Sequence, residues 1–157
     1  MAVNPASAAD DADEVNPAAT GLFRVPNASR PAVELFRNTV ENAPVGIAFA
    51  NPDGGFRHAN LAFCAMLGYT AEQIRSESIE SLTHAEDLQA TKAGLERLWR
   101  REVSHLDVEK RYIRKNGSPL WVRVTTSLVR GAGTEPECSV HFLRDISARK
   151  EMAAALL

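Results

Sequence analysis

The residues best suited to metal, redox or proton chemistry in this chain are two cysteines and four histidines. Cys64 and Cys138 lie far apart and outside any Cys-x-x-Cys pattern, so they read as two reduced core thiols of a cytosolic protein. His84 falls at a helix start, where it reads as a cap or surface residue, and His58 and His105 fall at strand edges, where they read as solvated. His141 differs, because its strand parity with Leu143 turns it inward. There it is either a hydrogen-bonded core histidine or a ligand contact and pH-sensitive group. Glu109 and Arg111 alternate with the inward positions of their strand, so they read as outer-face or rim charges and not as an acid–base pair. The chain contains no GxxxxGK[ST], GxGxxG, HExxH or GxSxG segment. It also lacks a phosphoacceptor histidine context and a GGDEF segment. No catalytic residue and no metal site is expected.

The elements that would position these residues follow from periodicity and punctuation. Residues 1–28 are rich in Ala, Asn, Pro and Asp, and read as a flexible acidic leader that cannot bury enough surface to fold alone. Pro31 suits a first helical turn, Val33, Phe36 and Val40 form one apolar stripe, and Asn42-Ala43-Pro44 ends the helix. Val45 to Ala50 and Phe56 to Ala59, separated by Asn51-Pro-Asp-Gly-Gly55, predict a hairpin. Asn60 caps a helix that Gly68 stops, and Thr70 to Gln73 forms a capping box. Thr83-His-Ala-Glu86 reads as another capping box, opening the longest helix, with Leu88, Thr91, Leu95 and Leu98 as its inner stripe. Three strands follow, at Ser104 to Arg114, Leu120 to Arg130 and Cys138 to Ile146, and Ser147 caps a closing helix bearing Met152, Leu156 and Leu157. The fold class is therefore α+β: a five-stranded antiparallel sheet with helices on one face and flanking N- and C-terminal helices.

This order and its punctuation resemble the PAS domain family from about Leu35 to Lys150. Glu41-Asn-Ala-Pro-Val-Gly-Ile47 looks like the family's opening strand. Asn60-Leu-Ala-Phe63 with Leu67-Gly-Tyr-Thr70 looks like its "N-x-x-F…L-G-Y-S/T" segment. His84-Ala-Glu-Asp87 is similar to "H-P-x-D", with Ala85 in place of proline. Arg111-Tyr-Ile-Arg-Lys-Asn-Gly117 with Leu120-Trp121 is similar to "R-x-x-R-K-D-G…W", and Arg144-Asp-Ile-Ser147 with Arg149-Lys150 to "R-D-I-T-x-R-K". Five such segments in order make the resemblance specific.

The resemblance implies a sensory or signalling PAS fold over residues 29–147, with residues 148–157 starting a C-terminal signalling helix. It implies a pocket between the long helix and the inner sheet face, lined by Met66, Ile79, Leu82, Leu88, Thr91, Leu95, Tyr112, Val122, Val124, His141 and Leu143. The photoactive flavin type requires a cysteine where Ile79 stands and flavin-binding amides where Tyr112, Val122 and Leu143 stand. The oxygen-sensing haem type requires a histidine where Thr91 stands. No cofactor is expected, neither flavin nor haem, and a small apolar ligand is the occupant such a lining would take. Asp145, Ile146 and Ser147 form the expected signal relay to the closing helix. Phe36, Val40, Val140, Phe142, Met152 and Leu156 form the expected homodimer interface. The expected partners are a second copy and a downstream effector domain of a bacterial-type signalling protein, a histidine kinase or diguanylate cyclase. Neither nucleic acid nor membrane is expected, given a net charge of −2 and the absence of a long apolar run. Two alternative readings are a ligand-free structural dimerisation module and an isomerase-like enzyme. The enzyme would need an inward carboxylate of raised pKa, and no Asp or Glu falls on the inward positions.

Overall fold

The computed structural model describes residues 29–131, 133 and 135–156. The acidic leader 1–28, Ala132 of the last turn and Leu157 of the closing helix lie outside the described residues. Helix α1 (Arg30–Glu41) leads into the hairpin β1 (Gly46–Ala50) and β2 (Phe56–Ala59). Helices α2 (Leu61–Leu67), α3 (Ala71–Ile74), α4 (Ile79–Leu82) and α5 (Ala85–Trp99) follow. The meander β3 (His105–Ile113), β4 (Pro119–Arg130) and β5 (Pro136–Asp145) then leads to α6 (Ser147–Ala155). The five strands form one antiparallel sheet in the order β2-β1-β5-β4-β3.

The sheet is apolar on both faces at its centre, and that decides where the helices go. On the inner face Ala48, Ala50, Leu120, Val122, Val124 and Leu143 join Phe63, Leu67, Ile74, Ile79 and Leu82 of α2 to α4 in one buried cluster. On the outer face Ile47, Phe49 and Cys138 are buried with Val40 of α1. The β1 run is therefore buried along its whole length, and its sequence is a continuous apolar run without alternation. Gly46 permits the close approach of α2: a Cβ there would stand 3.0 Å from Leu143 Cβ and 3.2 Å from Phe63 Cα.

Asn60 joins three of these parts. Its Oδ1 accepts from the Ile47 N–H at 2.9 Å and the Phe63 N–H at 3.0 Å. Its Nδ2 donates to Val40 O at 2.8 Å and Val45 O at 3.0 Å. It is thus at once the cap of α2, a splint on β1 and the anchor for the end of α1, all with no exposed surface.

Several expectations need correction. The long helix is capped by His84, whose Nδ1 accepts from the Glu86 N–H. Thr83, expected as that cap, instead donates its hydroxyl to Ile79 O and closes α4. The additional short helix α4 carries a reciprocal Ser78–Ser81 capping box, because serine at N3 can replace the usual longer acceptor. His58, expected to be solvated, is buried and contacts the Glu41 carboxylate at the end of α1. The α1 helix folds back over that strand end, which strand parity could not show.

Asn60→Ala is expected to destabilise the chain by about 3 kcal/mol, since a cap is lost and buried backbone groups lose their partners. Asn60→Ser, which keeps a cap acceptor, recovers about 1 kcal/mol of this. Urea unfolding measures both values.

Candidate functional site

The register of the meander turns a defined set of side chains inward. Lys110 stands opposite Val122, Tyr112 opposite Leu120, Val124 opposite Leu143 and Thr126 opposite His141. Directly opposed residues share a face, so Lys110, Tyr112 and His141 all lie on the inner side. Of the expected lining, Ile79, Leu82, Tyr112, Val122, Val124 and Leu143 meet in the inner cluster, with Met66 and Leu95 packed against it. Leu88 is half-buried without joining that cluster, and Thr91 is half-buried on the face of α5 that looks at β3.

The inner face also holds polar groups. His141 is 1% exposed, and its Nδ1 and Nε2 pair with Thr126 Oγ1 at 3.0 Å and Ser139 Oγ at 2.8 Å. Burial, helped by the charge of Lys110, pushes its pKa down to about 3. Lys110 escaped the sequence reading although it shares parity with Tyr112. It is 6% exposed, its Nζ donates to Thr91 Oγ1 at 3.3 Å, and it lies 4.8 Å from the Tyr112 ring centroid. Burial lowers its pKa to about 8, against an opposing pull from Asp87. Tyr112 is fully buried, and burial raises the pKa of its hydroxyl, which has no hydrogen-bond partner among the described residues.

The N-terminus of α5 lies along the free edge of β3. The His84 N–H donates to Arg111 O at 3.0 Å, and Thr83 bridges Tyr112. Asp87 Oδ2 accepts from the Arg111 N–H at 2.9 Å and from its Nε at 3.0 Å, while Oδ1 accepts from Nη2 at 3.1 Å. These bonds to Arg111 hold the Asp87 carboxyl below its ordinary pKa. The same pairing covers an edge that would otherwise recruit another strand.

The second feature is the exit from β5. Asp145 Oδ1 accepts from the Ser147 N–H at 2.9 Å, and the Ile146 N–H donates to Trp121 O at 3.0 Å. Ser147 is therefore the first residue of α6 and not its cap. Ile146 occupies the cap position, with no side-chain cap bond, and the Asp145 carboxylate receives the free N–H. One turn on, Lys150 Nζ lies 3.3 Å from Glu109 Oε1 and 4.4 Å from the Trp121 ring centroid, and Arg149 pairs with Glu109. No residue of α6 is buried.

The outer face divides the expected dimer residues. Val40 is 6% exposed and is packed with Ile47, Phe49 and Cys138 of its own chain; Val140 packs against the same cluster. This corrects their assignment to a partner surface: the amphipathic α1 covers the sheet first. Phe36, Phe142, Met152 and Leu156 are exposed, as is Leu35. Beside Phe142 lies a depression of about 260 Å³, also lined by Val45, Arg123, Thr125, Leu143 and Arg144.

The sequence pattern that defines the PAS fold matches residues 34–146. The chain is 33% identical over 115 residues to the protein named "Probable diguanylate cyclase DgcE" of Escherichia coli (strain K12), a match covering 73% of this chain and 10% of that protein. It is 30% identical over 116 residues to the sensor histidine kinase TmoS of Ectopseudomonas mendocina, covering 74% of this chain and 12% of the relative. The PAS domain of a protein from Colwellia psychrerythraea superposes with a TM-score of 0.68 at 16% identity, covering 74% of this chain and 98% of that one. The chain belongs to the PAS family, the sensory domains of signalling proteins. It spans about a tenth of the length of these two relatives. Among the described residues, no helix is long and apolar enough to cross a membrane.

The buried histidine has a consequence for pH. The folded chain keeps His141 neutral down to about pH 3, against an ordinary value of 6.5 in the unfolded chain. Between these values the unfolded state binds more protons, so stability falls as pH falls from 6.5 toward 3. His141→Asn is expected to flatten this slope by up to about 1.4 kcal/mol per pH unit, as read from urea unfolding along a pH series.

Proposed function

We propose that this chain is a non-catalytic PAS sensing module that relays a change at its inner sheet face through Asp145, Ile146 and Ser147 to α6, and so to an effector domain. The observation that carries the reading is the attachment of α6. It is tied to the sheet by backbone and ionic contacts at Trp121 and Glu109, with no buried side chain of its own. A helix held this way changes position or stability when β3 and β4 shift by little, because exposed ion pairs contribute only about 0–1 kcal/mol each.

The effector is of the diguanylate cyclase or histidine kinase type. This is supported by the two relatives, each of which carries the matching segment within a much longer protein. The module works in the cytoplasm and as a homodimer. Phe36, Phe142, Met152 and Leu156 offer the partner surface, since they are large apolar side chains exposed to solvent.

Glu109→Lys tests the relay, because it sets three cations against one another at the base of α6. With the full chain joined ahead of a diguanylate cyclase catalytic domain, the substitution is expected to change cyclase output by about fivefold or more, while the melting temperature of the chain is little altered. Unchanged output would contradict the relay. Phe36→Glu with Phe142→Glu is expected to convert a dimer to a monomer in sedimentation equilibrium. A wild-type chain that is monomeric at high concentration would remove the dimer from the account.

A further inference from the structure

The depression of about 260 Å³ beside Phe142 lies on the outer face of β4 and β5, and strand register sets its floor. Val124 and Leu143 point inward, so their neighbours Arg123, Thr125, Phe142 and Arg144 point outward. Thr125 stands opposite Phe142, and Arg123 stands opposite Arg144. Two cations directly opposed across a strand pair destabilise it unless acids offset them. Asp107 offsets one: its Oδ1 accepts from Arg123 Nε at 2.8 Å and its Oδ2 from Nη2 at 2.6 Å. Among the described residues Arg144 has no ion pair, and it lies exposed beside Phe142, itself 42% exposed. The surface is therefore complementary to an acidic segment with an apolar side chain next to it.

The chain contains such a segment. Asp10, Asp11, Asp13 and Glu14 put four acids into five residues, the densest acidic run of the sequence, and Val15 follows directly. In the whole leader, residues 1–28, Arg24 is the only basic side chain. The segment lies outside the described residues, which begin at Ser29. The chain between Val15 and Ser29 spans up to about 46 Å when extended. A domain of this size is about 35 Å across, so the segment can reach the depression from either end of α1. Tethering also gives it an effective concentration in the millimolar range, at which even a weak contact is populated.

We propose that residues 10–15 of this chain dock in the outer-face depression, with their carboxylates on Arg144 and Arg123 and Val15 against Phe142 and Val45. The leader then covers the part of the outer face that α1 leaves open and supplies the acid that Arg144 lacks. This goes beyond the sensing role and needs no ligand. Phe142 also belongs to the proposed dimer surface, so a docked leader competes there with a second copy; this one consequence rests on the dimer reading.

The test places a nitroxide on Ala12→Cys in the full chain, where Cys64 and Cys138 are buried and escape labelling. Amide NMR signals of Thr125, Phe142 and Arg144 are expected to lose most of their intensity, while those on the far side of α5 keep theirs. Arg144→Glu is expected to restore the lost signals. So is the neutral leader, in which Asp10→Asn, Asp11→Asn, Asp13→Asn and Glu14→Gln are combined. Salt at about 1 M, where the screening length falls to about 3 Å, is expected to act in the same way. A dilute mixture of nitroxide-bearing chains with separate isotope-labelled chains is expected to show no loss. Even loss over the whole surface, loss centred elsewhere, a pattern that survives Arg144→Glu, or the same pattern in the mixture would overturn the proposal. In sedimentation equilibrium the neutral leader is expected to tighten the dimer about fivefold. Docking with an unchanged dimer constant removes Phe142 from the dimer surface and leaves the docked leader standing. Absence of docking, with Phe36→Glu and Phe142→Glu still breaking the dimer, removes the docked leader and leaves the dimer reading standing.

Discussion

The arrangement depends on one constraint: the centre of the sheet is apolar on both faces and must be covered twice. The alternate residues of β1 supply both coverings, with Ala48 and Ala50 facing α2 to α4 and Ile47 and Phe49 facing α1. Small residues on the inner side let α2 approach, as the contacts around Gly46 require. The larger ones on the outer side take up Val40. Asn60 then holds both coverings in register, since its four hydrogen bonds reach the end of α1, β1 and the start of α2. The β4–β3 half of the outer face is left uncovered together with Phe142 of β5, and α6 begins beside Trp121.

This geometry gives β3 and β4 two roles. On one side they carry Lys110, Tyr112, Val122 and Val124. On the other side they carry Glu109 and Trp121, where α6 is fastened. The two sides are separated by a single layer of backbone, because successive strand residues point to opposite faces. Glu109 and Lys110 are neighbours in sequence, so a displacement of Lys110 reaches the anchor of α6 without passing through any other element. The buried ammonium keeps the inner side away from its most stable packing, since it is desolvated without a carboxylate of its own.

Much of the fold was legible in the sequence, because local rules set it. Asn60, Gly68 and the Thr70–Gln73 box act as predicted, and the strands fall within about two residues of their expected bounds. The misses share a physical origin in competition between neighbours. Thr83 had two chemically reasonable bonds and made the one that closes α4, leaving His84 to cap α5. Ser147 gives its own N–H to Asp145 Oδ1 and stands inside α6 as its first residue, with Ile146 at the cap position. Val40 and His58 depend on how α1 folds back, a long-range contact with no local signature. Lys110 is the instructive case. Its parity with Tyr112 places it inward, and it is buried although lysines rarely are. The inward position of His141 was legible; its Thr126 and Ser139 partners needed the strand register.

On this reading of the relay, the inner sheet face and α6 are expected to move together. The most direct measurement is the distance distribution between spin labels at Glu72→Cys and Ala154→Cys, taken by double electron–electron resonance with and without Val124→Leu. The added methylene crowds the inner face without touching α6. A shifted or broadened distribution for α6 is expected. An unchanged distribution, with the substitution absorbed by α5 alone, would contradict it.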